Sequence, residues 1–391
     1  MFHTQGKPYQ RSESLTAVEE LGLTKPYCLA DGHAYQDLDV IQNGIIEKLP
    51  ALWVDAQTLS YDSVEREFVH AFYKLAGQTS QTETNLFRLC TSASQSIDMV
   101  AAWLHRRAFT VGLVEPTFDN LAQIVRRWDV PTVPLDENSL YCDEGIYSLD
   151  ASAFEAIFLV CPNNPTGRCP SLIFFKNLIK WAEENKKVLI FDFCFRFFLP
   201  SMGDVFQLLR DSGVTFLAIE DTGKTWPSLD MKVSILTYSG DIAKQIEDIY
   251  SEILLCISPF TVAVMTEFVT ATGRVGLSEG LWSQLQKNRN RLRSALSNEV
   301  LEIDSASLSN ALPVEWVKIK RDEFNDLMVV QLLAGRGVAC LPGRYFFWND
   351  NQRGRDHVRF SLLKPVSVID GACQILRDAF RSDLGAFAYK E

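Results

Sequence analysis

A doubly wound α/β domain with a mostly parallel sheet, followed by a smaller α+β domain, is the architecture this 391-residue sequence predicts. Three observations carry that reading. From about residue 86, short apolar runs alternate with amphipathic helical stretches. Those runs are continuous and rich in β-branched residues, as in strands covered by helices on both faces. After about residue 280 the order changes to a long helical stretch followed by short strands.

Along the chain, residues 1–45 read as a separate arm in which "SLTAVEEL" forms a short helix. "FRLCTSASQSIDMVAAWLHRRA" then supplies a strand, a turn of small residues and a helix, and "FTVGLVEPTFDNLAQIVRRW" repeats that order. "AIFLVCPNNPTGR", "KVLIFDF", "TFLAIEDTG" and "VSILTYS" are further strands, with helical segments such as "PSLIFFKNLIKWAEENKK" between most of them. These elements form a large domain over residues 46–280. The small domain, residues 281–391, opens with "GLWSQLQKNRNRLRSALSNEV" as a helix and continues with strands in "PVEWVKIK" and "HVRFSLL". In open sheets of this kind ligands bind beyond the carboxyl ends of the strands, which is where functional side chains are to be sought.

Composition removes several function classes. The net charge is −11, from 38 basic and 49 acidic residues, and no basic run exceeds a pair. That argues against a nucleic-acid partner. The longest apolar runs are strand-sized, so no membrane association is expected. "MFHTQGKPYQRSESL" lacks the apolar centre of a secretory signal, which points to a cytoplasmic protein. The nine cysteines show no C-x-x-C spacing and many lie in apolar segments. Buried, reduced thiols without a metal site are the expectation.

The chemistry begins at Pro162-Asn163-Asn164-Pro165-Thr166-Gly167, after "AIFLV". Alone this is a rigid turn. Yet 28 residues after Asn164 a strand ends in Asp192, and Lys224 follows another strand 32 residues further on. Lys232 comes next, and Arg359 lies in "HVRFSL". This order resembles that of the fold-type I aminotransferases, pyridoxal-phosphate enzymes, over most of the chain. The resemblance implies Lys224 as the amine that bonds the cofactor aldehyde, lysine being the side chain with a primary amine. Asp192 would keep the ring nitrogen protonated, and Asn164 would meet the ring's 3-oxygen. "TSASQS" opening a helix offers Ser92, Ala93 and Ser94 to the phosphate. Lys232 stands where family members often carry a phosphate-binding arginine. Phe118 matches the aromatic residue that stacks on the ring, and Arg359 would hold the substrate α-carboxylate as a bidentate fork. Each residue also has a plainer role: Asp192 as a strand-end turn carboxylate, Phe118 as core, Ser92 and Ser94 as helix caps. Their joint order favours the cofactor.

Three positions depart from the common pattern. Phe195 replaces a tyrosine expected near the ring oxygen, Asp221 a serine three residues before the lysine, and Cys194 a serine beside Asp192. A carboxylate near a phosphate is costly without a cation, which directs Asp221 toward a positively charged substrate. The stretches "SLTAVEELGL…LADGHAYQDL", "IEDTGKTWPSLDMK", "VEPTFDN", "CPNNPTGR" and "SEILLCISPF" resemble the pyridoxal-phosphate-dependent L-arginine oxidases and hydroxylases of natural-product pathways. That resemblance covers nearly the whole chain. It implies that Thr16, Glu19 and Asp221 recognise the guanidinium, and that Asp31 and His33 close over the site from the arm as catalytic groups. Thr16-x-x-Glu19 is also a capping box, and a lone His33 in a turn is also a surface residue. The implied reaction converts L-arginine and O2 to ammonia and a 2-keto acid without metal or flavin. That acid is 4,5-dehydro-2-ketoarginine or 4-hydroxy-2-ketoarginine, with 2-ketoarginine. A homodimer is implied as well. The alternatives are a conventional aminotransferase for a cationic amino acid, and a cofactor-binding regulator.

Overall fold

Thirteen strands in three sheets organise the computed structural model, which describes residues 14–199, 203–296 and 299–380. The first thirteen residues of the expected arm, and residues 381–391 of the expected small domain, lie outside the described residues. In chain order the strands are β1 (Tyr27–Cys28), β2 (Phe87–Cys90), β3 (Val111–Glu115), β4 (Thr132–Asp136), β5 (Ala156–Val160), β6 (Val188–Asp192) and β7 (Phe216–Asp221). They continue as β8 (Ser234–Tyr238), β9 (Leu301–Ile303), β10 (Val314–Ile319), β11 (Val338–Ala339), β12 (Leu341–Pro342) and β13 (His357–Ser361).

The seven-stranded sheet has the order β2-β8-β7-β6-β5-β3-β4. Neighbours from β4 to β7 pair in parallel, and β8 runs antiparallel to both β7 and β2. Every residue of β3, β5, β6, β7 and β8 is buried, which explains the unbroken apolar runs. Alternate side chains feed two cores: Ile157 and Leu159 pack on one face, Phe158 and Val160 on the other. The strand β4 was not among the strands expected from the sequence. It carries Pro134 in its middle, and it survives because it lies at the sheet edge, where a missing N–H costs no ladder bond.

Strand order reverses between β3 and β5, so their carboxyl ends open the crevice in which such sheets bind ligands. The Pro-Asn-Asn-Pro turn, Asp192 and the Asp221–Lys224 turn follow β5, β6 and β7 on that edge. A second sheet, β12-β13-β10-β9, is wholly antiparallel and packs its own core with the helices Ser283–Leu296 and Val366–Asp378.

The arm is stitched to both parts. β1 pairs with β11, Ala34 N donates to Gly223 O at 3.0 Å, and Tyr35 N donates to Leu363 O at 2.9 Å. Its helix spans Leu15–Gly22 and is capped by Ser14, whose Oγ accepts from Ala17 N at 3.1 Å. The Thr16–Glu19 capping box is therefore not formed. Ser14 has the extended backbone a cap requires, which leaves Thr16 inside the helix and exposed. No helix among the described residues is long and apolar enough to cross a membrane. All nine cysteines are free thiols.

Candidate active site

The floor of the site is set by short turns at the strand ends. Asn163 braces the first of them: its Oδ1 accepts from Thr117 Oγ1 at 2.9 Å, and its Nδ2 donates to Pro116 O and to Glu137 Oε1 at 2.6 and 2.7 Å. Asn164 is thereby left to the crevice, buried and with Oδ1 unpartnered. Asp192 closes β6 between Val160 and Ile219. Its Oδ1 accepts from Cys194 N at 2.9 Å. Burial pushes the Asp192 carboxyl up, and burial beside that carboxylate pushes the Cys194 thiol up. A cation brought against Asp192 would reverse that shift.

Lys224 stands in the turn after β7, half-buried. Three residues before that lysine and two before Gly223, Asp221 does not face outward. Its Oδ2 accepts from Ala93 N at 2.9 Å and its Oδ1 from Gly223 N at 2.6 Å. The carboxylate thus occupies the amino end of the helix Ala93–Arg106, where N–H groups lack helical partners and the dipole favours an anion. Ser92 caps that helix, accepting from Gln95 N at 3.2 Å, and the exposed Ser94 accepts from Asn120 Nδ2 at 3.0 Å.

A second set of charges forms the roof. Arg359 is fully buried on β13; its Nη2 donates to Ala30 O at 2.8 Å and to Glu19 Oε1 at 3.2 Å. Its Nε and Nη1 have no partner. The guanidinium lies 5.9 Å from the Phe346 ring, and Phe118 packs against that same ring at 6.2 Å. A Cβ on Gly32 would stand 3.4 Å from Arg359 Nη1 and 3.7 Å from Lys224 Nζ. The gap where the arm meets both cations is therefore about one methyl group wide, and glycine keeps it open.

His33 follows in the same turn. Its Nδ1 lies 2.9 Å from Asp31 Oδ1 and its Nε2 3.2 Å from Lys232 Nζ. An ammonium group only donates, so Nε2 accepts and Nδ1 carries the proton toward Asp31. Asp31 Oδ2 accepts from Lys364 Nζ at 3.1 Å, and the same ammonium donates to His33 O at 3.3 Å. Asp230 adds Oδ1 at 3.6 Å from both His33 Nδ1 and Lys232 Nζ, while its Oδ2 accepts from Tyr35 Oη at 2.8 Å. Burial works against ionisation of Asp31, but the His33 hydrogen bond and the Lys364 charge hold its carboxyl well below the usual range. Burial draws Lys364 down, against the pull of the Asp31 carboxylate.

Lys224, Arg359, Glu19, Asp31 and His33 are thus gathered around Gly32, with Lys232 joined through His33. Asp221, Ser92 and Ala93 share the adjoining corner. Thr16 is exposed and is not drawn in. Lys364, Tyr35 and Asp230 were missed from the sequence. For Lys364 a faint signal exists, since it separates a buried strand from the helix-opening Pro365 and is itself buried.

Pyridoxal phosphate with an amino-acid substrate fits these residues. Asp192 suits the ring nitrogen, the Asn164 amide the ring oxygen, and Lys224 the aldehyde. The helix end at Ala93 and Lys232 suit the phosphate, with Ala93 N now bonded to Asp221. The orphaned Nε and Nη1 of Arg359 suit a carboxylate. Among the described residues no group of three or more His, Cys, Asp or Glu is placed to hold a metal ion.

Comparison with known proteins agrees with this donor set. The family model for aminotransferase class I and II matches residues 57–376. A curated relative, LL-diaminopimelate aminotransferase of Aquifex aeolicus (strain VF5), is 24% identical over 255 residues, covering 63% of this chain and 62% of that protein. The match therefore spans less than two thirds of the relative's length. Among solved structures, MppP soaked with the product 2-ketoarginine superposes with a TM-score of 0.83 at 32% identity, covering 89% of this chain and 98% of that one. Aspartate aminotransferase from Thermus thermophilus with maleate gives a TM-score of 0.75 at 15% identity over 95% and 97% of the two chains, a likeness of fold.

Proposed function

The chain belongs to the class I and II aminotransferases and has their fold-type I architecture, and on that premise we propose that it is an O2-consuming oxidase of L-arginine. Pyridoxal phosphate, when bound, supplies an electron sink for negative charge developing at the substrate α-carbon. The observation that carries the reading is the arm turn Asp31-Gly32-His33 seated against Lys224 and Arg359, with His33 held between Asp31 and Lys232. It gives the site a second proton carrier besides Lys224. The likeness to MppP, a protein solved with 2-ketoarginine, supports arginine as substrate.

In this reading Lys224 would hold the cofactor aldehyde, and its Nζ, once free, would take the substrate α-proton. Asp192 keeps a proton on the ring nitrogen, with Cys194 beside it. Asn164, Phe118, Ser92, Ala93, Ser94 and Lys232 position the ring and phosphate. Arg359 grips the α-carboxylate through Nε and Nη1. Glu19 and Asp221 are assigned to the guanidinium, which requires Glu19 to leave Arg359 and Asp221 to leave Ala93 N, while Thr16, exposed on the arm helix, is left out of this set. His33, backed by Asp31, takes up or returns protons at Nε2 as substrate carbon is oxidised. Each electron pair passes with two protons to O2, giving hydrogen peroxide. Water supplies the keto oxygen, and nitrogen leaves as ammonia. The exposed Val40, Trp53, Val54 and Leu255 support a second copy of the chain as partner.

The test is oxygen uptake by the purified holoenzyme with L-arginine and no keto acid. Uptake with ammonia and a keto acid is expected, and mass spectrometry separates a desaturated product from a hydroxylated one. Turnover only after pyruvate or 2-oxoglutarate is added would sink the oxidase. A conventional aminotransferase for a cationic amino acid, the activity class of the curated relative, would then remain.

A further inference from the structure

Asp119 is a buried carboxylate with none of the roles above. It follows Phe118 directly, opens the helix Asp119–Arg127, and is 5% exposed. Its Oδ2 accepts from Leu15 N at 3.0 Å and from Gln123 Nε2 at 2.7 Å. Its Oδ1 is equally buried and has no partner.

Leu15 is the first residue of the arm helix, and Glu19 lies one turn further on the same face. Helical side chains lean back toward the amino end, which directs Glu19 toward Asp119. The two carboxylates interact: burial, with the Glu19 charge added, pushes the Asp119 carboxyl up to about 7. Glu19 also touches Arg359, and Phe118 shares the Phe346 ring with Arg359. Asp119 therefore adjoins the residues that surround Arg359. Two acids in one dry corner repel each other unless a cation lies between them. A guanidinium has five donors in a planar fork and can serve both at once.

We infer that Asp119 is a specificity-determining residue, its free Oδ1 accepting from the substrate guanidinium alongside Glu19. The inference rests on the arginine reading. When a substrate carboxylate occupies Arg359, Glu19 is released from Nη2 and shares the incoming cation with Asp119. The Oδ2 bond to Leu15 N holds the arm helix in place meanwhile.

Asp119→Asn separates this from a purely architectural role, because an amide oxygen still accepts from Leu15 N while the charge is gone. Holoenzyme is titrated under argon with L-arginine and with its neutral ureido counterpart L-citrulline, following the cofactor absorbance. Loss of one charge-assisted hydrogen bond is expected to weaken arginine about 10- to 100-fold and citrulline less than about threefold. Equal weakening of both, or of neither, overturns the inference. A wild-type enzyme that does not prefer arginine to citrulline overturns it too, and identifies the arginine reading as what failed. A measurement on the wild type needs no variant: calorimetry at pH 7 with 5-guanidinopentanoate, which is arginine without its α-amine, in buffers of different ionisation enthalpy. Release of about half a proton per site is expected if the cation ionises Asp119. Heat independent of the buffer overturns the assignment.

Discussion

On the floor of the site Asp192 and Asp221 are each bound by the backbone two residues further along, Cys194 N and Gly223 N. In the roof Arg359 reaches Glu19 across 340 positions, and Lys364 reaches Asp31 across 333. The floor is organised by tight turns that form wherever these strands end. Its turns are set before any ligand arrives, and Asp192 with them, as covalent chemistry on a positioned cofactor requires. The roof is held by charges that neutralise one another between distant segments, so each pair can exchange for a ligand group of the same sign. Floor variants should therefore abolish chemistry without moving the fold, whereas roof variants should move stability, closure and pH dependence together.

The largest effect is expected from Lys224→Ala. Losing the amine that bonds the cofactor and moves the α-proton should lower arginine turnover by at least about 10³-fold. Unfolding of the apo-protein should change by less than about 0.5 kcal/mol, because the side chain is half-buried and closes no packing gap. Urea melts beside oxygen-electrode rates check both. A large loss of stability would show that the floor, too, depends on its functional charge.

Lys364→Met tests the roof. The ammonium and the Asp31 carboxylate are both 5% exposed, and leaving one of them buried alone costs about 3–5 kcal/mol. His33 loses its backing, and misplacement on this scale lowers kcat on the order of 10²-fold. The pH dependence distinguishes positioning from packing. The native Asp31 carboxyl is held below its unfolded value by His33 and Lys364. Its stabilisation is therefore present above about pH 4 and lost as pH falls further. Without Lys364 only His33 still offsets burial, so the carboxyl rises, and both stability and kcat/KM should begin to fail at a higher pH than in the wild type. An unmoved acid limb would make Lys364 a packing residue only.

The same contrast explains what was legible in the sequence. Strands buried on both faces write themselves as unbroken apolar runs, so β3 and β5 to β8 are readable, and the turns that end them carry Asn164, Asp192 and Lys224 at recognisable spacings. β4 was hidden by Pro134, tolerable only at an edge that sequence does not reveal. At the arm helix two hydroxyls compete for the cap, and backbone geometry selects Ser14 over Thr16. Asp221 was read as facing the substrate because a carboxylate beside a phosphate is costly. The structure places it on Ala93 N, where an unpaired helix donor meets its charge. Lys364 and Asp119 were missed because their meaning lies in partners more than 100 residues away.

Tyr35→Phe should have the smallest effect, and it tests whether the roof acts as one unit. The phenol donates to Asp230 Oδ2 at 2.8 Å, while its ring faces the Lys364 ammonium at 4.6 Å. Burial, with Asp230 beside it, pushes the phenol above its usual range, so the hydroxyl stays a donor at every working pH. Phenylalanine removes that bond and keeps the ring under the ammonium. Asp230 is half exposed and retains Lys232 and His33 within reach, so water replaces the phenol at a net cost of no more than about 1 kcal/mol. With Asp31–Lys364 intact, the acid limb should stay where the wild type has it. If Tyr35→Phe shifts that limb as far as Lys364→Met does, the roof's ion pairs are not separable. The arm would then close through one cooperative network running from Asp230 to Lys364.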